Sequence, residues 1–229
     1  MLRKTAIWIV IICLAILTGL LVRNLARSGA SDGHSDFTAD EISLIHGADS
    51  IMRVLTIEDD SDSIKLRATS SDLSDEALLS ADYNRLAGLM VTTVIHPSQD
   101  GVGIAGPQVG INRRVVAVQR FDKEPVLRNG RLDHPFEVYP NIHIVWASDS
   151  LAAGPEGCLS VPDRRGEVLR SQEIVIEYTS LPDGRSEAGP TGNNTASLPT
   201  IRDTVKGFTA VIFQHEIDHL EGILYIDRL

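Results

Sequence analysis

Near its C-terminal end the chain reads Gln214-His215-Glu216-Ile217-Asp218-His219. Two histidines four apart on a helix project from one face, about one turn apart, so their ring nitrogens can converge on one metal ion with the Glu216 carboxylate beside it. This is metal-hydrolase chemistry, and such a centre needs three protein ligands and a further position for water. The downstream glutamate of thermolysin-like peptidases has little room here, because only ten residues follow His219. The metzincin pattern matches as far as Gly222 and then presents Tyr225 where its third histidine should stand. Glu221 points to another helix face, and Asp227 falls beyond the helix.

Cys158 is the strongest remaining third ligand. The chain has two cysteines, Cys13 inside an apolar run and Cys158 inside the polar motif Glu156-Gly157-Cys158-Leu159-Ser160, so a disulfide between them is not expected. Cys158 is then a free thiol, a buried filler or a ligand, and as a thiolate it would complete a Cys, His, His set.

The elements that must position these groups are readable in outline. A helical pattern opens at Asp72-Leu73-Ser74 and carries Leu78, Leu79, Leu86, Leu89, Met90 and Val94 at spacings of three and four, predicting one helix to about His96. The glycine-rich run 101–110 lacks a Lys-Ser/Thr ending and predicts a backbone that passes close to something. Strands are expected at 115–118, at 138–146 with Pro140 near an edge, at 168–170 and at 174–178. Residues 182–200 are rich in turn formers and read as a mobile hairpin loop. The motif helix spans 206–222, with Phe208, Val211, Ile212 and Ile217 as its apolar stripe and Gly222 as its stop.

With 229 residues and 43% hydrophobic content, the chain has room for one catalytic domain and an appendage. A net charge of -10 argues against direct nucleic-acid binding, which is driven by Lys and Arg neutralising phosphates. The apolar run 5–22, flanked by Arg3, Lys4, Arg23 and Arg27, is just long enough to cross a bilayer at about 1.5 Å per residue. The expected organisation is a membrane anchor or signal segment over 1–27, a polar linker over 28–50 and a catalytic domain over 51–229. The balanced flanking charges do not fix the membrane side, and translation from Met52 would give a soluble cytoplasmic protein.

Three segments together, Gly101-Val102-Gly103-Ile104-Ala105-Gly106-Pro107-Gln108, Glu156-Gly157-Cys158-Leu159-Ser160 and His215-Glu216-Ile217-Asp218-His219, resemble the three motifs of the peptide deformylases in order and spacing. The resemblance implies an α+β fold whose motif helix packs among antiparallel sheets. It also implies removal of the formyl group from N-formylmethionine on newly made polypeptides, near the ribosome, by a monomer. Carried over by position, Cys158, His215 and His219 are the metal ligands, Fe²⁺ is the favoured ion with Zn²⁺ able to substitute, and Glu216 is the acid and base. Gln108 and the backbone N–H of Leu159 fall on the oxyanion donors. Val102, Gly103, Arg165, Phe208, Val211 and Ile212 fall on the substrate cleft, and Glu156 with Arg170 on a structural ion pair. The family usually has alanine where Gly106 stands, a change expected to loosen the turn by about 1 kcal/mol. A metal-dependent peptidase and an inactive formyl-peptide binder are the alternative readings.

Overall fold

The computed structural model describes residues 36–128, 130–182 and 197–229. The first described helix, α1 (Ala39–Gly47), starts at a capping box: the Thr38 hydroxyl accepts from the Glu41 N–H at 3.2 Å, and the Glu41 carboxylate accepts from the Thr38 N–H at 2.8 Å. Phe37 and Ile45 are buried in the core, and Glu41 pairs with Arg113 at 3.0 Å. The stretch 28–50, expected as a polar tether, is therefore folded from residue 36 onward. Its polar composition hid a cap and a short apolar face.

Helix α2 (Asp60–Leu66) is capped by Asp59. The single helix expected from Asp72 to His96 is two, α3 (Asp75–Leu78) and α4 (Ala81–Val94). Ser80 divides them: its hydroxyl donates to Ala77 O at 2.7 Å, closing α3, and accepts from Tyr83 N at 3.1 Å, opening α4. Apolar spacing continues across the break, so periodicity alone could not find it.

Strands β1 (Gly103–Ala105), β2 (Val115–Gln119) and β5 (Phe136–Pro140) make one antiparallel sheet in the order β1-β2-β5. Between β2 and β5 stands a two-stranded ribbon, β3 (Val126–Arg128) and β4 (Arg131–Asp133). Alternation along β2 sends Val115 and Ala117 to one core, shared with Leu86, Met90 and Val94 of α4, and Val116 and Val118 to a second, shared with Ile212, Phe213 and Ile217. The strand expected across 138–146 is broken at Asn141, which takes φ 52° and separates β5 from β6 (His143–Ala147). Its amide bonds both backbone groups of Leu73, at 2.8 Å each, which fixes the corner.

Strand β6 joins β9 (Glu173–Thr179) and β10 (Thr200–Lys206) in the order β10-β9-β6, and β7 (Leu151–Cys158) pairs with β8 (Val161–Ser171) as a long hairpin. Most of the turn-rich segment between β9 and β10, residues 183–196, lies outside the described residues, as does the apolar run 5–22 expected as an anchor. Among the described residues no helix is long and apolar enough to cross a membrane. The motif helix α5 (Gly207–Leu220) lies against the first sheet, and Gly222, at φ 71°, ends its last turn where a side chain would overlap the Arg67 backbone.

Candidate metal centre and cleft

Helix α5 presents His215 and His219 on one face, as their spacing requires, with ring centroids 5.1 Å apart. Cys158 arrives from the end of β7, where the β7–β8 register shifts between Gly157 and Cys158 and turns the thiol toward the helix. One ligand atom from each of Cys158, His215 and His219 lies within 4.8 Å of the others. The Cys158 Sγ is 3.3 Å from His219 Nε2, close to the roughly 3.6 Å edge of a tetrahedron with metal–sulfur and metal–nitrogen bonds of about 2.3 and 2.0–2.1 Å. His215 Nδ1 is engaged by Glu156 Oε2 at 2.8 Å, which leaves Nε2 for an ion. A thiolate and two imidazoles suit a borderline-soft divalent metal. The donors fit one ion.

Glu216 is buried beside them, and its Oε2 is one of the few buried side-chain oxygens without a partner among the described residues. Burial pushes its carboxyl up to about 7, the range a group needs in order to take and return a proton near neutral pH. Space for it comes from β1: a Cβ on Gly103 would overlap Glu216 Oε1. Burial also pushes His219 well down, toward the neutral imidazole that a metal requires.

Gln108 sits in the single 3₁₀ turn Gly106–Val109 after β1. Its Oε1 accepts from Ala105 N–H at 2.8 Å, which fixes the amide so that Nε2 reaches Ser160 Oγ at 3.2 Å and points at Cys158 Sγ at 3.6 Å. An N–H donor is thus held beside Cys158 at the edge of the centre. A cleft of about 730 Å³ opens over these groups, and Leu159, Val102, Gly103, Arg165, Phe208, Val211 and Ile212 all line it. Phe208, on the apolar stripe of the helix, is 57% exposed and lines the cleft.

The expected pair of Glu156 and Arg170 is present and buried, with contacts of 2.7 and 3.0 Å. Three partners were not foreseen: Glu156 also orients His215, Arg170 also holds Asp218 at 2.6 Å, and Asp218 holds Arg228 at 2.5 Å. Burial opposes the ionisation of Glu156, but hydrogen bonds from His215 and Arg170 outweigh it and hold the carboxyl at about 2. One sequence signal was available, an aspartate between the two histidines on a helix buried nearly all round.

The model of the polypeptide deformylases matches residues 51–229. The chain belongs to the peptide deformylase family. It is 34% identical over 165 residues to the peptide deformylase of Leptospira biflexa serovar Patoc, covering 72% of this chain and 82% of that one. With peptide deformylase 2 of Gloeobacter violaceus it shares 36% over 164 residues, or 72% and 73% of the two chains. Among solved structures, the Met-Ala-Ser-bound class I type b peptide deformylase from Acinetobacter baumannii superposes with a TM-score of 0.61 at 32% identity, covering 78% of this chain and 98% of that one. The peptide deformylase of Thermotoga maritima does so with a TM-score of 0.58 at 25% identity, covering 78% and 97%. The fold is the mixed α/β peptide deformylase fold with antiparallel sheets. Peptide deformylases are metal-dependent hydrolases, and membership is consistent with removal of the N-formyl group from nascent polypeptides.

Proposed function

We propose that this chain hydrolyses the formyl group from N-formylmethionine at the start of new polypeptides and releases formate. The observation that carries the reading is the convergence of Cys158, His215 and His219 beside a buried, unpartnered Glu216 carboxylate oxygen. Cys158, His215 and His219 would hold one Fe²⁺, with Zn²⁺ able to replace it. When bound, such an ion polarises the formyl oxygen and makes water acidic enough to attack near neutral pH.

The remaining work falls to the chain's own groups. Glu216 takes a proton from the attacking water and returns it to the methionine nitrogen as the carbon–nitrogen bond breaks, leaving formate and a free amine. Gln108 Nε2 and the Leu159 backbone N–H donate to the oxygen that becomes negative, each worth about 3 kcal/mol in the transition state. Val102 and Gly103 offer backbone groups to an extended peptide, while Val211, Ile212 and Phe208 surround the methionine side chain and Arg165 borders the outgoing peptide. Glu156 and Arg170 act as scaffold, holding His215 in the tautomer that binds metal.

The working form is a monomer that meets formylated chains near the ribosome without binding nucleic acid. Residues 1–27 would serve as a membrane anchor or signal segment, with the catalytic domain on the cytoplasmic side, where its substrates are made. Anaerobic purification with metal analysis, coupled to formate release from formyl-Met-Ala-Ser, tests the reading. We expect one iron per chain and stoichiometric formate. Peptide-bond cleavage without formate would overturn it in favour of a peptidase.

A further inference from the structure

Tyr225 occupies the position at which the chain departs from the metzincin pattern, and the fold brings its ring beside a metal donor. It opens the last 3₁₀ turn, Tyr225–Arg228, and its side chain is buried. The ring lies 6.1 Å from the His215 imidazole, centroid to centroid, at an interplanar angle of 22°, which is the geometry of an offset stack. Tyr225 also belongs to the small core of Val161, Val168 and Leu224, against which Cys158 packs. Two of the three metal donors therefore border one apolar cluster.

His215 has need of such a neighbour. The contact of its Nδ1 with Glu156 at 2.8 Å fixes the direction in which Nε2 points but leaves the ring able to tilt about that bond. His219 crosses the imidazole at 76°, whereas Tyr225 lies nearly parallel to its face. The turn that carries Tyr225 is itself tied down. Asp227 Oδ2 accepts from Leu224 N–H at 2.8 Å and pairs with Arg67, and Arg228 holds Asp218 of α5 at 2.5 Å. The Leu229 side chain fills the space that a Cβ on Gly166 of β8 would take. A ring on so fixed a base restrains what it faces. The Tyr225 hydroxyl, by contrast, is buried without a hydrogen-bond partner among the described residues, so it adds no bond that would explain the residue.

We propose that Tyr225 is a positioning residue of the metal centre: its ring holds the His215 imidazole at the tilt seen here and so sets how tightly the chain retains its metal. This deepens the deformylase reading and rests on its metal centre, not on its substrate.

The test uses the full chain, freed of metal by chelation, with Zn²⁺ and Co²⁺ as probes and affinity read by competition against a chromophoric chelator in the absence of substrate. Y225L removes the ring and should lower Zn²⁺ affinity about tenfold to hundredfold, the usual effect of losing a group that orients a metal-bound histidine. Its Co²⁺ form should show visible bands shifted from those of wild type. Y225F keeps the ring and should stay within about twofold of wild type in affinity, with unshifted bands. V168A removes apolar volume from the same small core but no ring from the imidazole; it should lower the thermal midpoint of the metal-free chain and leave Zn²⁺ affinity within about twofold. Should Y225L fail to fold, Y225M fills the volume with a flexible chain and should weaken binding by a similar factor. Equal affinity in wild type and the variant lacking a ring would overturn the role of Tyr225, as would an equal loss in Y225F or in V168A. Absence of formate release by wild type, with the loss in Y225L intact, would instead count against the deformylase reading alone.

Discussion

At Gly103 a side chain would occupy the space that Glu216 Oε1 fills, so the first motif and the third are made to fit each other by the absence of one Cβ. The carboxylate placed there should be indispensable. Glu216→Gln is expected to lower formate release about a thousandfold while the chain retains its metal, because proton transfer by such a group contributes roughly 10²–10⁴-fold. Full activity at equal metal content would remove Glu216 from the mechanism. Gly106 makes a second case, and here the structure corrects an expectation. Sequence comparison with the family's usual alanine implied a looser turn. In the fold, a Cβ on Gly106 would stand 2.5 Å from Ile111 O and 2.8 Å from Arg113 O. Backbone cannot yield as a side chain does, so Gly106→Ala should destabilise by about 1–3 kcal/mol in urea unfolding; a gain in stability would show that the 111–113 segment moves freely.

Among elements, α1 shows how a short helix can look like a linker. Its fate rests on one cap, and Thr38→Ala should cost about 1 kcal/mol and lower the thermal midpoint, because it removes the hydroxyl that accepts from the Glu41 N–H. At the other end of the chain, Arg67 donates to Asp227 and thereby holds its carboxyl below the ordinary 3.8. A depressed carboxyl stabilises fully above its unfolded value and loses that contribution as pH falls through the folded one. Asp227→Asn should therefore be less stable than wild type at neutral pH, and the gap should close as acid unfolding is followed below about pH 4. Strand and helix types followed from periodicity, but their ends did not. Ser80 and Asn141 cut elements through side-chain hydrogen bonds that leave apolar spacing untouched. The Cys158, His215 and His219 cluster could be read because helical spacing brings two histidines together and metal chemistry asks for a third donor. Glu156 as the partner of His215 could not, because the register of β7 against α5 is set only by tertiary packing.

For the whole molecule, the proposed ion would join two elements that share no sheet, the β7–β8 hairpin and helix α5. An ion bound to the folded chain and not to the unfolded one adds its binding energy to stability. Chelation should therefore lower the thermal midpoint and should speed amide exchange in the hairpin more than in α1, whose Ile45 packs in the other core. Uniform acceleration everywhere would mean that the ion secures no particular element.

The row Glu156, Arg170, Asp218, Arg228 alternates in sign from the His215 imidazole outward, and its first three members are buried while the Arg228 side chain is 41% exposed. Each inner charge is cancelled by its neighbour, so the row is neutral in pairs, and only its last member is in contact with the ionic atmosphere. In this direction the charge that meets solvent is Arg228, with three compensated ions between it and the His215 imidazole.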